Sequence, residues 1–543
     1  MITDHEPVNA DQIVWGKRDN NQRDSNQRDS NQRDNNLRQA QKDAWFGAFR
    51  SQTEEFSYEI TEIEGSLPKT LLNSTWFHNG PSGFERGNQR VNHFLDGDGY
   101  LCRIAFRDDG RVFFDSRFVQ TAEFQQENRA DRFLFRSTFG TRKPQDNLFE
   151  LYLKNPANVN AVVWGDNLLA MYEAGLPYQV NPHTLDTLGP QNAQGQLVEQ
   201  PLPKSRWQTL QRFAQGQWAT TAHPHSDPVR DRIVLWHWAA QLKGLTIDVV
   251  EYDRQWQECA HSQFQIPGAM VNPHDFALTQ TYYVFVENRL TFNPLPFILG
   301  RQSPADCLQL QTDQPTRIHL VPRPDGPMAG RPVQTVETTP WFSIHQACAY
   351  DRPDGSVVVY SAGWPESGLE QGFLSSWQGY APDFDVIAPT YLWQTTIHPQ
   401  QKTVNHRTVL ENYCIEYPCT NPSYETQTVR YLYMTYSNCV GESSPPIGYL
   451  KVDLQNQTSQ IWMEEGLSFT DEPVFIPTGT DEDDGWLLGM VYDHPRERSS
   501  LVVLNAKDLA AGPVCRLWLN HRLVPGLHGS WTSNYYGPKK QVV

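Results

Sequence analysis

The chain is short of cysteine, of basic residues and of long apolar runs, and each shortage excludes something. Its eight cysteines in 543 residues (Cys102, Cys259, Cys307, Cys348, Cys414, Cys419, Cys439 and Cys515) include no Cys-x-x-Cys pair and form no dense framework. They read as reduced, mostly buried thiols of a cytoplasmic protein, not as a disulfide scaffold. Lys and Arg number 45 against 62 Asp and Glu, a formal net charge of −17. A nucleic-acid partner, which needs a basic face, is excluded, and anionic lipid headgroups gain no attraction. No stretch approaches the roughly 18 apolar residues of a membrane span, and the N-terminus is polar and acidic where a signal peptide would be basic and then apolar. No GxGxxG or Walker-type loop occurs, so no nicotinamide cofactor is expected. Helical periodicity is also scarce, confined to short stretches such as Asp231–Leu242.

What is there favours sheet and turn. Tyr, Phe and Trp are plentiful, and Gly and Pro occur throughout. Strand-like runs alternate with turn signals at Leu168–Glu173, Tyr282–Glu287, Val357–Ser361, Val429–Met434, Trp486–Tyr492 and Ser500–Leu504. They continue to the C-terminus with no linker between them, which predicts one large all-β body over residues 45–543. Ahead of it, residues 21–35 repeat Asn-Gln-Arg-Asp with Ser or Asn. Such a tract has nothing to bury, so residues 1–44 are expected to be a disordered tail.

A single histidine in a strand is more often a core or surface residue than a ligand. Context separates four of the sixteen: His223 in Thr-Ala-His-Pro, His274 ahead of Asp-Phe-Ala, His345 in Ile-His-Gln-Ala-Cys, and His528 in Leu-His-Gly-Ser-Trp. Pro224 fixes the backbone after the first, and Gly529 allows close approach at the last. Residues so far apart meet only in a fold that gathers distant strands, as a closed radial arrangement of sheets does. Four imidazoles at its axis would make a metal site with no carboxylate or thiolate ligand.

The chain resembles the carotenoid cleavage oxygenases. The matching segments are Phe77-His78-Asn79-Gly80-Pro81, His93-Phe94-Leu95-Asp96-Gly97-Asp98-Gly99, Ala222-His223-Pro224, His274-Asp275-Phe276-Ala277, Glu472-Pro473-Val474-Phe475-Ile476-Pro477 and Leu527-His528-Gly529-Ser530-Trp531. Together they span nearly everything after residue 45. The resemblance implies a seven-bladed β-propeller with a helical and loop cap over an axis that carries Fe(II), held by His223, His274, His345 and His528. It implies that Glu173, Glu416 and Glu472 orient histidine ligands, as carboxylates on the far ring nitrogen do. Four neutral ligands leave ferrous iron its full charge and two open positions, for dioxygen and substrate.

The chain is most similar to the cyanobacterial apocarotenoid-cleaving members, through Leu295-Pro296-Phe297-Ile298-Leu299-Gly300, Leu320-Val321-Pro322-Arg323 and Glu482-Asp483-Asp484-Gly485-Trp486-Leu487-Leu488. The implied reaction is oxidative cleavage of a conjugated double bond of a hydrophobic polyene, giving retinal-type aldehydes when the 15,15' bond is cut. Cleavage at the 9,10 bond, cleavage of a stilbene, and a non-catalytic apocarotenoid-binding propeller are the alternatives.

Four positions depart from the family pattern. Cys348 and Asp351 stand where asparagine and glutamate are usual, and both are expected near the iron. Asn272 replaces a bulky apolar residue ahead of His274, and Val159 replaces a threonine near the iron. Asp481–Asp484 reads as a solvated turn, and Asp96 with Asp98 as a tight turn with calcium ligation as the other reading. His183 and His225 are assigned to loops. Leu295–Leu299 is expected to be an apolar patch at a tunnel mouth, giving peripheral contact with a membrane, with buried core as the other reading.

Overall fold

The computed structural model describes residues 39–143, 147–191, 202, 205–209, 218–241, 243–369, 379–410, 413–437 and 443–539. The Asn-Gln-Arg-Asp tract and Cys439 lie outside the described residues. Seven antiparallel sheets of four to six strands, with two small two-stranded ribbons, form a seven-bladed β-propeller. Residues 39–48 are helical and bury Ala44, Trp45 and Ala48.

Blade 1 runs from the outer strand Ser57–Ile60 through Val112–Phe118, Asp98–Phe106 and Ser74–Ser82 to the inner strand Gly529–Thr532. The inner strand of blade 2 is Asn160–Trp164. Those of blades 4, 5 and 6 are Phe276–Leu278, Phe342–Asp351 and Cys414–Cys419. In blades 3 and 7 the inner position is split between two short strands, Ala219–Thr220 with His225–Asp227, and Ser468–Thr470 with Val474–Pro477.

The ring closes by exchange of the chain ends. C-terminal Trp531 pairs with Trp76 in blade 1, while Ile63–Gly65 adds to Pro513–Trp518 at the rim of blade 7. Closure removes the free inner edges that an open array would expose.

Each blade packs on both neighbours, and side-chain alternation decides which residues serve which neighbour. Ile233 and Leu235 join blade 2, whereas Val234 and Trp236 join blade 4. Ala277 likewise faces blade 5 while Phe276 and Leu278 face blade 3. Asp231–Leu242, read above as helix-like, is therefore the strand Arg232–Gln241. A strand buried on both faces is apolar in sequence without alternation, which is why its period misleads. The other expected strands form, with shifted ends, among them Asn167–Met171, Val357–Trp364, Tyr431–Ser437 and Gly485–Asp493.

Helices are few among the described residues and include residues 39–48, Ala122–Ala130 and the short Pro294–Ile298. Trp45 packs edge-on against Phe49, Phe384 and Phe469, and the same cluster reaches Leu527, next to His528. No helix among the described residues is long and apolar enough to cross a membrane. Seven cysteines are described and all are free, five of them buried.

Buried charges tie blades 3 and 4. The guanidinium of Arg323, fully buried, binds both oxygens of Glu251 at 2.9 and 2.8 Å and reaches Asp227 at 2.7 Å. Arg323→Leu removes the cation that Glu251 and Asp227 share, leaving the first with Arg232 at 3.1 Å and the second with Arg230 at 3.0 Å. It should lower stability by about 3–5 kcal/mol in denaturant unfolding; a loss under about 1 kcal/mol would show that water or Arg232 replaces it.

Candidate metal centre

All four candidate histidines sit where an inner strand is interrupted at the axis. His223 lies in the gap between the two short inner strands of blade 3, His274 stands two residues ahead of the inner strand of blade 4, and His528 directly precedes that of blade 1. His345 occupies a bulge in blade 5, where the register slips between Ser343 and Gln346. In a regular ladder a side chain faces a neighbouring blade; a break or bulge re-aims it.

The rings converge. His223 is centred 4.4 Å from His274, 5.2 Å from His345 and 4.7 Å from His528, and His345 is 5.0 Å from His528. His274 and His345 bring their Nε2 atoms within 3.3 Å. One nitrogen each of His223, His274 and His345 falls within 4.8 Å of the others, a grouping that does not take in His528.

Three of the four hold their outer nitrogen against a carboxylate. Nδ1 of His274 is 2.7 Å from Glu173, Nδ1 of His345 is 2.5 Å from Glu416, and Nδ1 of His528 is 2.7 Å from Glu472. Glu472 also accepts the Gly529 N–H at 2.8 Å. A carboxylate there places the ring proton on Nδ1 and turns the Nε2 lone pair to the axis.

Electrostatics favour the neutral, lone-pair-bearing ring at His223 and His528 and the charged ring at His274. Burial drives His223 and His528 well below the ordinary histidine pKa, and the neighbouring imidazoles push the same way. Burial acts likewise on His274, but the Glu173 carboxylate outweighs it and holds the ring at about 9. Glu472 is raised to about 8, first by burial, against the opposing field of His78.

A metal ion fits this donor set. Nε2 of His223 is buried and has no hydrogen-bond partner among the described residues, a costly state for a polar atom unless something binds it. Imidazole suits ferrous iron and its divalent neighbours.

Two further residues shape the site and were not legible in the sequence. Tyr417, at φ 51°, stacks on His345 with centroids 5.3 Å apart and meets His528 edge-on at 5.3 Å. Its strand slips register between Glu416 and Cys419, and that slip swings the ring inward; the following Pro418 is the sequence trace of it. His225 is no loop residue: it opens the strand His225–Asp227 and lies 3.3 Å from Asp275 and 3.2 Å from Glu425. Burial opposes its charge, but those carboxylates hold it up at about 10. His183 does lie in an exposed turn.

Other expectations need correction. Asp351 ends the blade 5 strand, roughly 17–20 Å along it from His345, and accepts the Thr281 N–H at 3.0 Å. Cys348 is buried in the core between blades 5 and 6 rather than facing the histidines. Asn272 is half-buried and donates to the Pro273 carbonyl. Val159 is adjacent as expected, its carbonyl accepting the His528 N–H at 3.1 Å. Asp96 accepts from Phe139 and Thr141, and Asp98 is paired with Arg86 and Lys154, so calcium has no vacancy there. Asp481, Asp483 and Asp484 sit in a turn bound by Lys451 and Lys507. The Leu295–Leu299 run is split: Leu295 is 60% exposed, whereas Phe297 is buried against Leu151 and Cys307.

Fold and site define a class: a seven-bladed propeller whose axis carries a carboxylate-braced histidine cluster compatible with a metal ion. Residues 49–533 match the family model described as RPE65, retinal pigment epithelial membrane protein, and the chain belongs to that carotenoid oxygenase family. It is 33% identical to the apocarotenoid-15,15'-oxygenase of Synechocystis sp. over 90% of this chain and 96% of the relative. To carotenoid cleavage dioxygenase 7, chloroplastic, of Oryza sativa it is 26% identical, over 89% of this chain and 90% of the other. The crystal structure of cobalt-substituted Synechocystis ACO superposes with a TM-score of 0.80 at 31% identity, covering 90% of this chain and 98% of that one.

Replacing Glu173, Glu416 or Glu472 with Gln should weaken divalent-metal binding about 10–100-fold, as lost ligand-orienting partners do. Titration with Co(II) followed in the visible range reads this; unchanged affinity in all three would remove the carboxylates from the metal site.

Proposed function

We propose that this protein is a non-haem Fe(II) dioxygenase that cleaves the 15,15' double bond of an apocarotenoid, with dioxygen as co-substrate. The observation that carries the proposal is the convergence of His223, His274, His345 and His528 with carboxylates behind three of them. The choice of bond rests on similarity to the Synechocystis relative, whose name specifies it.

When bound, Fe(II) supplies activation of dioxygen next to the alkene. The four histidines would hold it through their Nε2 lone pairs, and Glu173, Glu416 and Glu472, each against an Nδ1, would fix the tautomers that make this possible. Tyr417 covers the flank of His345 with its aromatic face and meets His528 edge-on, packing the two rings in place. In the net reaction the C=C bond breaks and two C=O bonds form, each product taking one oxygen atom of O2. The alkene supplies all the electrons, so no external reductant is consumed.

The substrate partitions into membranes, and peripheral contact with a lipid surface would deliver it. Leu295 supports this together with Phe149, 45% exposed, and Leu148, 38% exposed; the Phe149 N–H bonds the Ile298 carbonyl at 2.9 Å, which sets these residues side by side. Leu295→Ser with Phe149→Ser should reduce co-sedimentation with neutral liposomes several-fold. Unchanged sedimentation would rule this patch out.

Aerobic incubation of the Fe(II)-loaded protein with 8'-apocarotenal, β-carotene and resveratrol tests the activity. Retinal from the apocarotenal alone is expected, and His274→Ala should abolish it while retaining pigment binding. Products from β-carotene or resveratrol alone would keep the site and change the substrate. Turnover by His274→Ala would overturn the metal assignment, and no product from any substrate would favour a carrier.

A further inference from the structure

His528 is the candidate ligand at the seam of the ring, where the C-terminal strand joins blade 1, and its backbone is gripped from both sides. The Asn79 N–H donates to the His528 carbonyl at 3.0 Å, and the Leu527 N–H donates to the Asn79 carbonyl at 2.9 Å. Behind this turn stands His78, 3% exposed, its ring stacked on Trp76 with centroids 5.0 Å apart and planes 12° from parallel. The two glycines flanking the turn leave room for that imidazole. A Cβ at Gly526 would overlap His78 Nε2, and one at Gly529 would lie 2.9 Å from its Nδ1.

The far side of His78 is anchored in blade 7. Its Nε2 lies 3.0 Å from Oδ2 of Asp471, itself buried, whose other oxygen accepts the Met490 N–H at 2.9 Å. Asp471 and Glu472 are consecutive residues in the gap between Ser468–Thr470 and Val474–Pro477. One carboxylate takes His78 and the next takes His528, so the two histidines are held from one backbone step with Gly526 and Gly529 between them.

We propose that His78 and Asp471 are positioning residues for His528: the pair clamps blade 7 to blade 1 across the seam and sets where the His528 ring stands relative to the other three imidazoles. Neither residue reaches the axis. The pair acts on the metal through the Gly526–Gly529 turn and through the segment that carries Glu472. This deepens the proposed function, since it rests on His528 being a metal ligand.

The test is Co(II) binding by the full chain, followed by affinity and by the visible spectrum, which reports ligand number and geometry. The unaltered protein should bind one Co(II) per chain. His78→Leu and the near-isosteric Asp471→Asn should each weaken binding about tenfold or more and shift the spectrum toward that of His528→Ala. His78→Gln, which keeps a donor for Asp471, should recover most of the loss. His319→Gln serves as the control, because His319 is a buried histidine 3.0 Å from Glu287 on the outer part of blade 4; it should lower the melting temperature and leave the spectrum unchanged. Folded His78→Leu or Asp471→Asn with the parent's affinity and spectrum overturns the proposal, as does a spectral change of equal size in His319→Gln. If the unaltered protein binds no Co(II), the four-histidine reading falls and the role of the pair falls with it.

Discussion

The arrangement at the axis depends on one interaction repeated three times, a carboxylate of one blade holding the outer nitrogen of an imidazole on another. Glu173 follows the second strand of blade 2 and holds His274 of blade 4; Glu416 of blade 6 holds His345 of blade 5; Glu472 of blade 7 holds His528 of blade 1. None of these three pairs lies within a single blade, so the cluster exists only once the ring has closed. The same contacts that direct lone pairs to the axis thereby couple the site to the fold.

Ring closure in turn rests on alternation along strands buried on both faces. Each blade offers one set of side chains to the preceding neighbour and the intervening set to the next, giving a core at every blade interface. Regular strands leave nothing to point inward, and function occupies the irregularities: the gap at His223, the bulge at His345, the slip that frees Tyr417 and the gap that places Asp471 and Glu472 back to back. Local ladder hydrogen bonds are given up at these points, and buried carboxylates compensate.

Much of this was legible in the chain. The motif order identified the family, and the four histidines and three glutamates that the resemblance singled out are the residues the fold brings together near the axis. Composition alone reached an all-β body but no blade count. What stayed hidden lies between blades, where sequence neighbours say least. His225 looked like a spare histidine until Asp275 and Glu425, from two other blades, came up against it. Asp351 looked close to His345 by number, yet an extended strand carries it far away. Whether Phe297 lay at the surface with Leu295 or in the core stayed open, because a short run does not reveal which side of a single helical turn is covered.

The central claim is that four imidazoles, and no sulfur or carboxylate oxygen of the protein, hold one metal ion at the axis. X-ray absorption at the iron edge of the Fe(II)-loaded protein measures this most directly. The account predicts four imidazole nitrogens with their outer-ring scattering and no sulfur, falling to three in His528→Ala. A sulfur neighbour, or two or fewer imidazoles in the unaltered protein, would contradict it.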